Sequence, residues 1–175
     1  IANLDIIPSH IDLVGAEIEM LNLPNREKVL RNAIEHLKEV YDFIFIDCPH
    51  AIGMLTVNAL VASDFVLIPL QAEFLPLKGV YSFLRHYEAI KKKLNRKLEI
   101  MGLLLTKFDE RKTMNQQVRE RLKTEFPGKV FQTTIRSNIQ LAKAQEAGRD
   151  IFDFDKHSHG AEDYQKLSEE FLQKL

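Results

Sequence analysis

Residues 41–60 read YDFIFIDCPHAIGMLTVNAL. Phe43, Ile44, Phe45 and Ile46 form an unbroken apolar run, the pattern of a parallel strand buried on both faces. Asp47 ends the run and Cys48-Pro49 stops it, after which Met54 to Ala62 fits a short helix. The same order repeats outward in both directions. Upstream, Leu4 to Ile7 reads as a strand stopped by Pro8, and Ile11, Val14, Ile18 and Leu21 recur at helical spacing. Pro24-Asn25 precedes a second helix carrying Val29, Leu30, Ala33, Ile34, Leu37 and Val40. Downstream, Phe65 to Ile68 suits a buried strand ended by Pro69, and Leu77 to Leu94 a long helix. Ile100 to Leu105 is a further core strand, Met114 to Phe126 a helix closed by Pro127-Gly128, and Val130 to Ile135 a strand. Asn138 caps a helix ending at Gly148, and Ala161 to Leu175 is a final amphipathic helix. Strands separated by helices of this size imply right-handed crossovers. The fold expected is α/β: a mostly parallel central sheet with helices on both faces, in one domain over 1–175.

Composition narrows the function classes. The chain has 175 residues, 45% hydrophobic and 28% charged, as in a globular domain rather than a disordered one. Its single cysteine, Cys48, excludes an intrachain disulfide framework and any multi-cysteine metal site, and fits a reducing cytoplasm. No apolar run approaches the roughly 20 residues that span a bilayer. Ile1 rather than Met opens the chain and leads straight into strand-like sequence, the mark of a fragment or of a start removed upstream. A net charge of −1 hides an asymmetry: residues 85–149 hold 16 Lys plus Arg against 7 Asp plus Glu. Such a basic stretch suits a polyanion, or equally a set of solvated lysine-rich helix faces.

In an open parallel sheet, ligands gather at the carboxyl ends of the strands. Three polar groups are expected there: Asp47, Gln71 with Glu73, and Thr106-Lys107-Phe108-Asp109. Four apolar residues followed by an Asp have the form of a Walker B strand, whose carboxylate holds Mg2+ beside nucleotide phosphates. A helix cap or a local hydrogen bond is the plainer use of such an acid. Pro49 to Gly53 makes a stiff turn and then a permissive glycine, either a phosphate-sensing loop or simply a turn.

These segments together resemble a known family. YDFIFIDCPHAIGMLTVNAL, followed by SDFVLIPLQAEFLPLKGV (63–80), is similar to the central part of ParA/Soj-type partition ATPases, in the MinD/ParA branch of P-loop NTPases. NLDIIPSHIDLVGAEIEM (3–20) resembles the segment ahead of the family's Walker B strand. GLLLTKFDERKTMNQQV (102–118) and residues 134–167 resemble its C-terminal third. The resemblance implies Asp47 as the Walker B acid on Mg2+, and Pro49 to Gly53 as a switch sensing the γ-phosphate of ATP. His50 stands where the family usually has a second Pro. It further implies that Thr106, Lys107, Asp109, Arg136 and Asn138 approach the base, although T-K-x-D also resembles the guanine-reading turn of GTPases.

Arg111 matches a basic position the family uses for non-specific DNA binding. Gln140 stands at a second such position, where Lys112, Arg136, Lys143 and Arg149 could compensate. The densest basic run, Lys91, Lys92, Lys93, Arg96 and Lys97, ends a helix, where cations also suit the dipole.

The implied intact protein is a cytoplasmic, nucleoid-associated ATPase. It forms a homodimer when ATP-bound, binds DNA, and is stimulated by a ParB-like partner. The alternatives are a MinD-like or other cargo-positioning ATPase, or a nucleotide-independent DNA- or protein-binding module. The tail carries Glu169 and Glu170 and lacks the basic amphipathic character of a membrane helix. No G-x-x-x-x-G-K-[ST] occurs, since Gly128-Lys129 follows Phe126-Pro127, so the chain as given is expected to be inactive. His157 and His159 near Asp153 and Asp155 suggest either a metal site or, with Gly160-Ala161, a helix start.

Overall fold

A computed structural model describes residues 3–49 and 51–175. They fall into two compact units, Ile1–Asp64 with Tyr87–Leu98, and Phe65–His86 with Glu99–Leu175.

The second unit holds a parallel sheet of β1 (Phe65–Gln71), β2 (Glu99–Phe108) and β3 (Val130–Arg136) in the order β1-β2-β3. Neighbouring parallel strands require crossovers, and α4 (Phe74–Lys93) and α5 (Thr113–Glu125) supply them. Strand alternation sends Leu103 and Leu105 into a core with Leu77, Val80, Val118 and Leu122. Leu104 lies in a second core with Phe131 and Ile135, against Leu141, Leu167 and Phe171. Leu141 is on α6 (Ile139–Glu146), and Leu167 and Phe171 are on α8 (His159–Gln173). Helices therefore cover both faces, which explains why β2 is buried from Met101 through Leu105. At Gly102 a Cβ would lie 2.6 Å from the Lys129 carbonyl oxygen and 2.7 Å from the Phe131 ring, so only glycine lets these strands close up. β1 runs on through Pro69 to Gln71 instead of ending at the proline. An edge strand has an outer side on which a missing N–H breaks no ladder. A short helix absent from the sequence reading, α7 (Ile151–Asp155), is capped by Asp150, whose carboxylate accepts from the Asp153 N–H.

The first unit contains α1 (Leu13–Met20), α2 (Val29–Ile34), which tightens into a 3-10 turn over Glu35–Glu39, and α3 (Met54–Ala62). The single helix expected from Val29 to Val40 is thus a short α-helix with a 3-10 continuation, a common way for a helix to end. Helix α3 is its hub. The Asn58 side chain accepts from the Leu30 N–H and donates to the Arg26 and Met54 carbonyls. Asn95 donates to the Leu60 and Ser63 carbonyls, capping the C-terminal end of α3.

Two expected strands are corrected. Residues 4–7 and 43–46 form no β-ladder, and Ile7 is 84% and Phe45 75% exposed. A strand exists only through hydrogen bonds to a neighbouring strand, and the ladders among the described residues join β1, β2 and β3 alone.

Candidate functional site

Because the sheet is parallel, its three carboxyl ends lie along one edge. Gln71 pairs with Thr106, Thr106 with Ile135, and Phe108 with Arg136. The turn after β2 is the most elaborate part of that edge. Lys107 takes φ 49°, a left-handed conformation that costs a non-glycine residue, at the point where the β2–β3 register shifts. Asp109 accepts from the Arg111 N–H and from its Nε and Nη2, each at 3.0 Å. These bonds hold the Asp109 carboxyl down at about 2. Arg111 is nevertheless 89% exposed, and Lys107 and Lys112 are exposed on the same turn. Behind it, the Arg119 guanidinium lies 5.0 Å over the Phe108 ring and bonds Glu110.

The end of β3 is occupied differently. The Arg136 guanidinium donates to Asp163 at 2.6–3.0 Å and to Glu162 at 2.7 Å, while its backbone N–H also meets Asp163. Asp163 and Glu162 hold Arg136 in its charged form, and Glu162, bonded by Lys166 and Arg136, is lowered to about 2. This geometry gives Arg136 two acidic partners on α8 and leaves its side chain half-buried. Asn138 caps α6 by accepting from the Gln140 N–H at 2.7 Å. The neutral Gln140 donates its Nε2 to Asp155, and the Arg149 guanidinium pairs with Asp153. Lys143 is exposed on α6. Ser158 caps α8 through the Ala161 N–H, which is the helix start rather than the metal reading of His157-Ser158-His159.

In the first unit, Asp47 and Pro49 are exposed and His50 lies outside the described residues. Asp47 follows an irregular segment instead of a strand. Gly53 is the N-cap position of α3, and a Cβ there would meet Glu17 Oε1 at 2.5 Å. That oxygen accepts from the Leu55 N–H at 3.0 Å, a carboxylate seated at the positive end of α3. Thr56 Oγ1 donates to the Ala51 carbonyl at 2.7 Å, pinning the loop to the same helix. Partial desolvation and the Asp47 charge push the Cys48 thiol up, away from the thiolate a nucleophile needs. Among the described residues no group of three or more His, Cys, Asp or Glu could hold a metal. Asp47 is exposed and stands in no such group. Among the described residues no helix is long and apolar enough to cross a membrane.

Sequence reasoning missed four positioning side chains: Glu17, Asn58, Asn95 and Asn115. Asn115 carried a readable signal, for it stands three residues before Val118 and seven before Leu122, where the helical period calls for an apolar residue.

A parallel α/β sheet with a polar turn at its strand ends defines a class of proteins that take their ligands along that edge. The profile of a family described as an AAA domain matches residues 1–100. The sporulation initiation inhibitor protein Soj of Bacillus subtilis is 44% identical over 170 residues, 97% of this chain and 67% of that protein. The chromosome partitioning protein ParA of Myxococcus xanthus is 40% identical over 171 residues, 98% of this chain and 60% of that protein. The cobyrinic acid a,c-diamide synthase of Mycobacterium smegmatis, with bound ADP and magnesium, superposes with a TM-score of 0.70. It is 32% identical and covers 81% of this chain and 63% of its own. The chain belongs to the ParA/Soj family of partition ATPases and spans 60–67% of the length of these curated relatives.

Proposed function

We propose that this chain works in an ATPase that partitions chromosome or plasmid DNA, binding ATP with Mg2+ and dimerising on DNA without regard to sequence. A ParB-like partner stimulates its hydrolysis in the cytoplasm over the nucleoid. The observation that carries this reading is the 44% identity to Soj across 97% of the chain. In it, Asp47 holds Mg2+, and Pro49 and Gly53 frame the loop that responds to the γ-phosphate. Thr106, Lys107, Asp109 and Asn138 lie toward the base, and Arg111, Lys112 and Lys143 meet DNA phosphates. Arg136 serves as the brace that fixes the end of β3 rather than as a nucleotide ligand. Hydrolysis in this scheme is phosphoryl transfer to water, driven by positioning and charge.

Because the 175 residues contain no glycine-lysine phosphate loop, ATP turnover by this chain alone should be absent. For DNA, Arg111→Glu in the full-length protein should abolish the gel shift while ATP affinity is unchanged. Retained DNA binding by that variant overturns the Arg111 assignment. Each lost phosphate contact lowers the slope of log K against log salt by about 0.9, which separates a DNA contact from general misfolding. DNA binding that needs no ATP in the wild type would favour the nucleotide-independent module.

A further inference from the structure

Asn115 is 4% exposed on the first turns of α5, on the stripe that continues through the fully buried Val118 and Leu122. A buried amide is costly there unless every end is bonded. Its Oδ1 accepts from the Asp109 N–H at 2.8 Å and its Nδ2 donates to the Ala72 carbonyl at 2.7 Å. One partner is a backbone donor and the other a backbone acceptor, so only one orientation of the amide satisfies both. The turn closes on itself as well, with the Lys112 N–H on the Asp109 carbonyl and the Asn115 N–H on the Lys112 carbonyl. At the other partner, Ala72 lies inside a tight bend in which the Glu73 N–H meets the Gln71 carbonyl. The two bonds therefore run from one side chain to the loops that leave adjacent parallel strands β1 and β2. An apolar residue of similar size would leave both backbone groups unsatisfied.

We propose that Asn115 is a positioning residue: its amide ties the end of β1 to the Thr106–Lys112 turn and thereby couples nucleotide binding to the cationic face of that turn. The tie itself stands on the geometry; the coupling rests on the partition reading above. Carboxyl ends of parallel strands are where ligands sit in such sheets. A shift of residues 71–73 on ligand binding is passed by one buried amide to Asp109, and through its three bonds to Arg111. Lys107 in its left-handed conformation and Lys112 belong to the same turn and move with it.

Two variants of the full-length protein test this. Asn115→Asp keeps the acceptor for the Asp109 N–H but loses the donor to Ala72, and Asn115→Ala loses both. Three quantities are measured: the melting temperature, DNA affinity without nucleotide, and the factor by which ATP raises that affinity. Both variants should bind DNA without nucleotide within about twofold of the wild type, yet lose about tenfold of the ATP-dependent rise. A lowered melting temperature with the ATP effect intact shows a merely structural amide and overturns the proposal. If Asn115→Ala does not fold, Asn115→Asp carries the same comparison. If wild-type protein shows no ATP-dependent rise, the partition reading fails, and the tie is judged by amide hydrogen exchange. Asn115→Ala should then speed exchange at Asp109 while Asn115→Asp keeps it slow, and equal Asp109 exchange in wild type and Asn115→Ala overturns the tie as well.

Discussion

Residues 101–105 and residues 43–46 are both runs of apolar or small side chains that end near an Asp, yet the structure treats them in opposite ways. In β2 every residue from Met101 to Leu105 is buried between β1 and β3 and under helices on both faces. Residues 43–45 are exposed and carry no β-ladder. The difference teaches that an apolar run specifies a capacity for burial, whereas the neighbours on its two edges decide whether that capacity is used.

The comparison can be broken most directly by paired truncations. Leu105→Ala, at a position with no exposure, should cost about 3–5 kcal/mol, whereas Ile7→Ala should change stability by less than about 0.5 kcal/mol. Equal losses in urea melts would mean that the first unit's apolar residues are as well packed as the second's. Next in size is Asp163→Ala, which leaves the Arg136 backbone N–H without its acceptor and its half-buried guanidinium with Glu162 alone. The expected cost is about 2–3 kcal/mol, with Asp163→Asn costing less because it keeps an acceptor; chemical denaturation measures both.

A third test sharpens the contrast through two glycines. A methyl at Gly102 meets backbone and a ring, so Gly102→Ala should cost about 1–3 kcal/mol. At Gly53 the obstacle is the end of the Glu17 side chain, which can turn away. Gly53→Ala should therefore cost no more than the lost bond to the Leu55 N–H, about 1 kcal/mol, and match Glu17→Ala in thermal melts. The smallest effect is a pH dependence in the second unit. Asp109 and Glu162 are held at about 2 in the folded chain, below the ordinary carboxylate value of the unfolded one. Their contribution is complete above about pH 5 and is lost as pH falls toward 2. Arg111→Gln should remove the side-chain part of the Asp109 share while the backbone bond stays, flattening the acid limb of a melting-temperature profile, and an unchanged limb would contradict that.

Much of the molecule was legible before any coordinates. Met54 to Ala62 was read at its observed bounds, because the Pro49–Gly53 turn and the Ser63-Asp64 break punctuate it clearly. The strands after Ser63, Lys97 and Gly128 were read for the same reason: β-branched and apolar runs between turn residues. The Thr106–Asp109 stretch was legible as a polar strand end. What escaped was the set of long-range amides, Asn58, Asn95 and Asn115: an Asn breaking an apolar stripe, as Asn115 does, can be seen to be buried, but nothing near it names a partner 43 residues away. The bracing of Arg136 was not legible because its partner, Asp163, lies 27 residues further on.

Local pattern alone was enough to establish an alternating α/β chain and the boundaries of most helices, because periodicity and turn chemistry act between near neighbours; the resemblance of several segments in order pointed to the family. Tertiary structure alone decided which apolar runs became strands, which cations stayed exposed and which were braced, and where a single amide joins two strand ends. Those outcomes depend on groups brought together from distant parts of the chain, and burial energies and hydrogen bonds at that range leave no mark on the order of residues nearby.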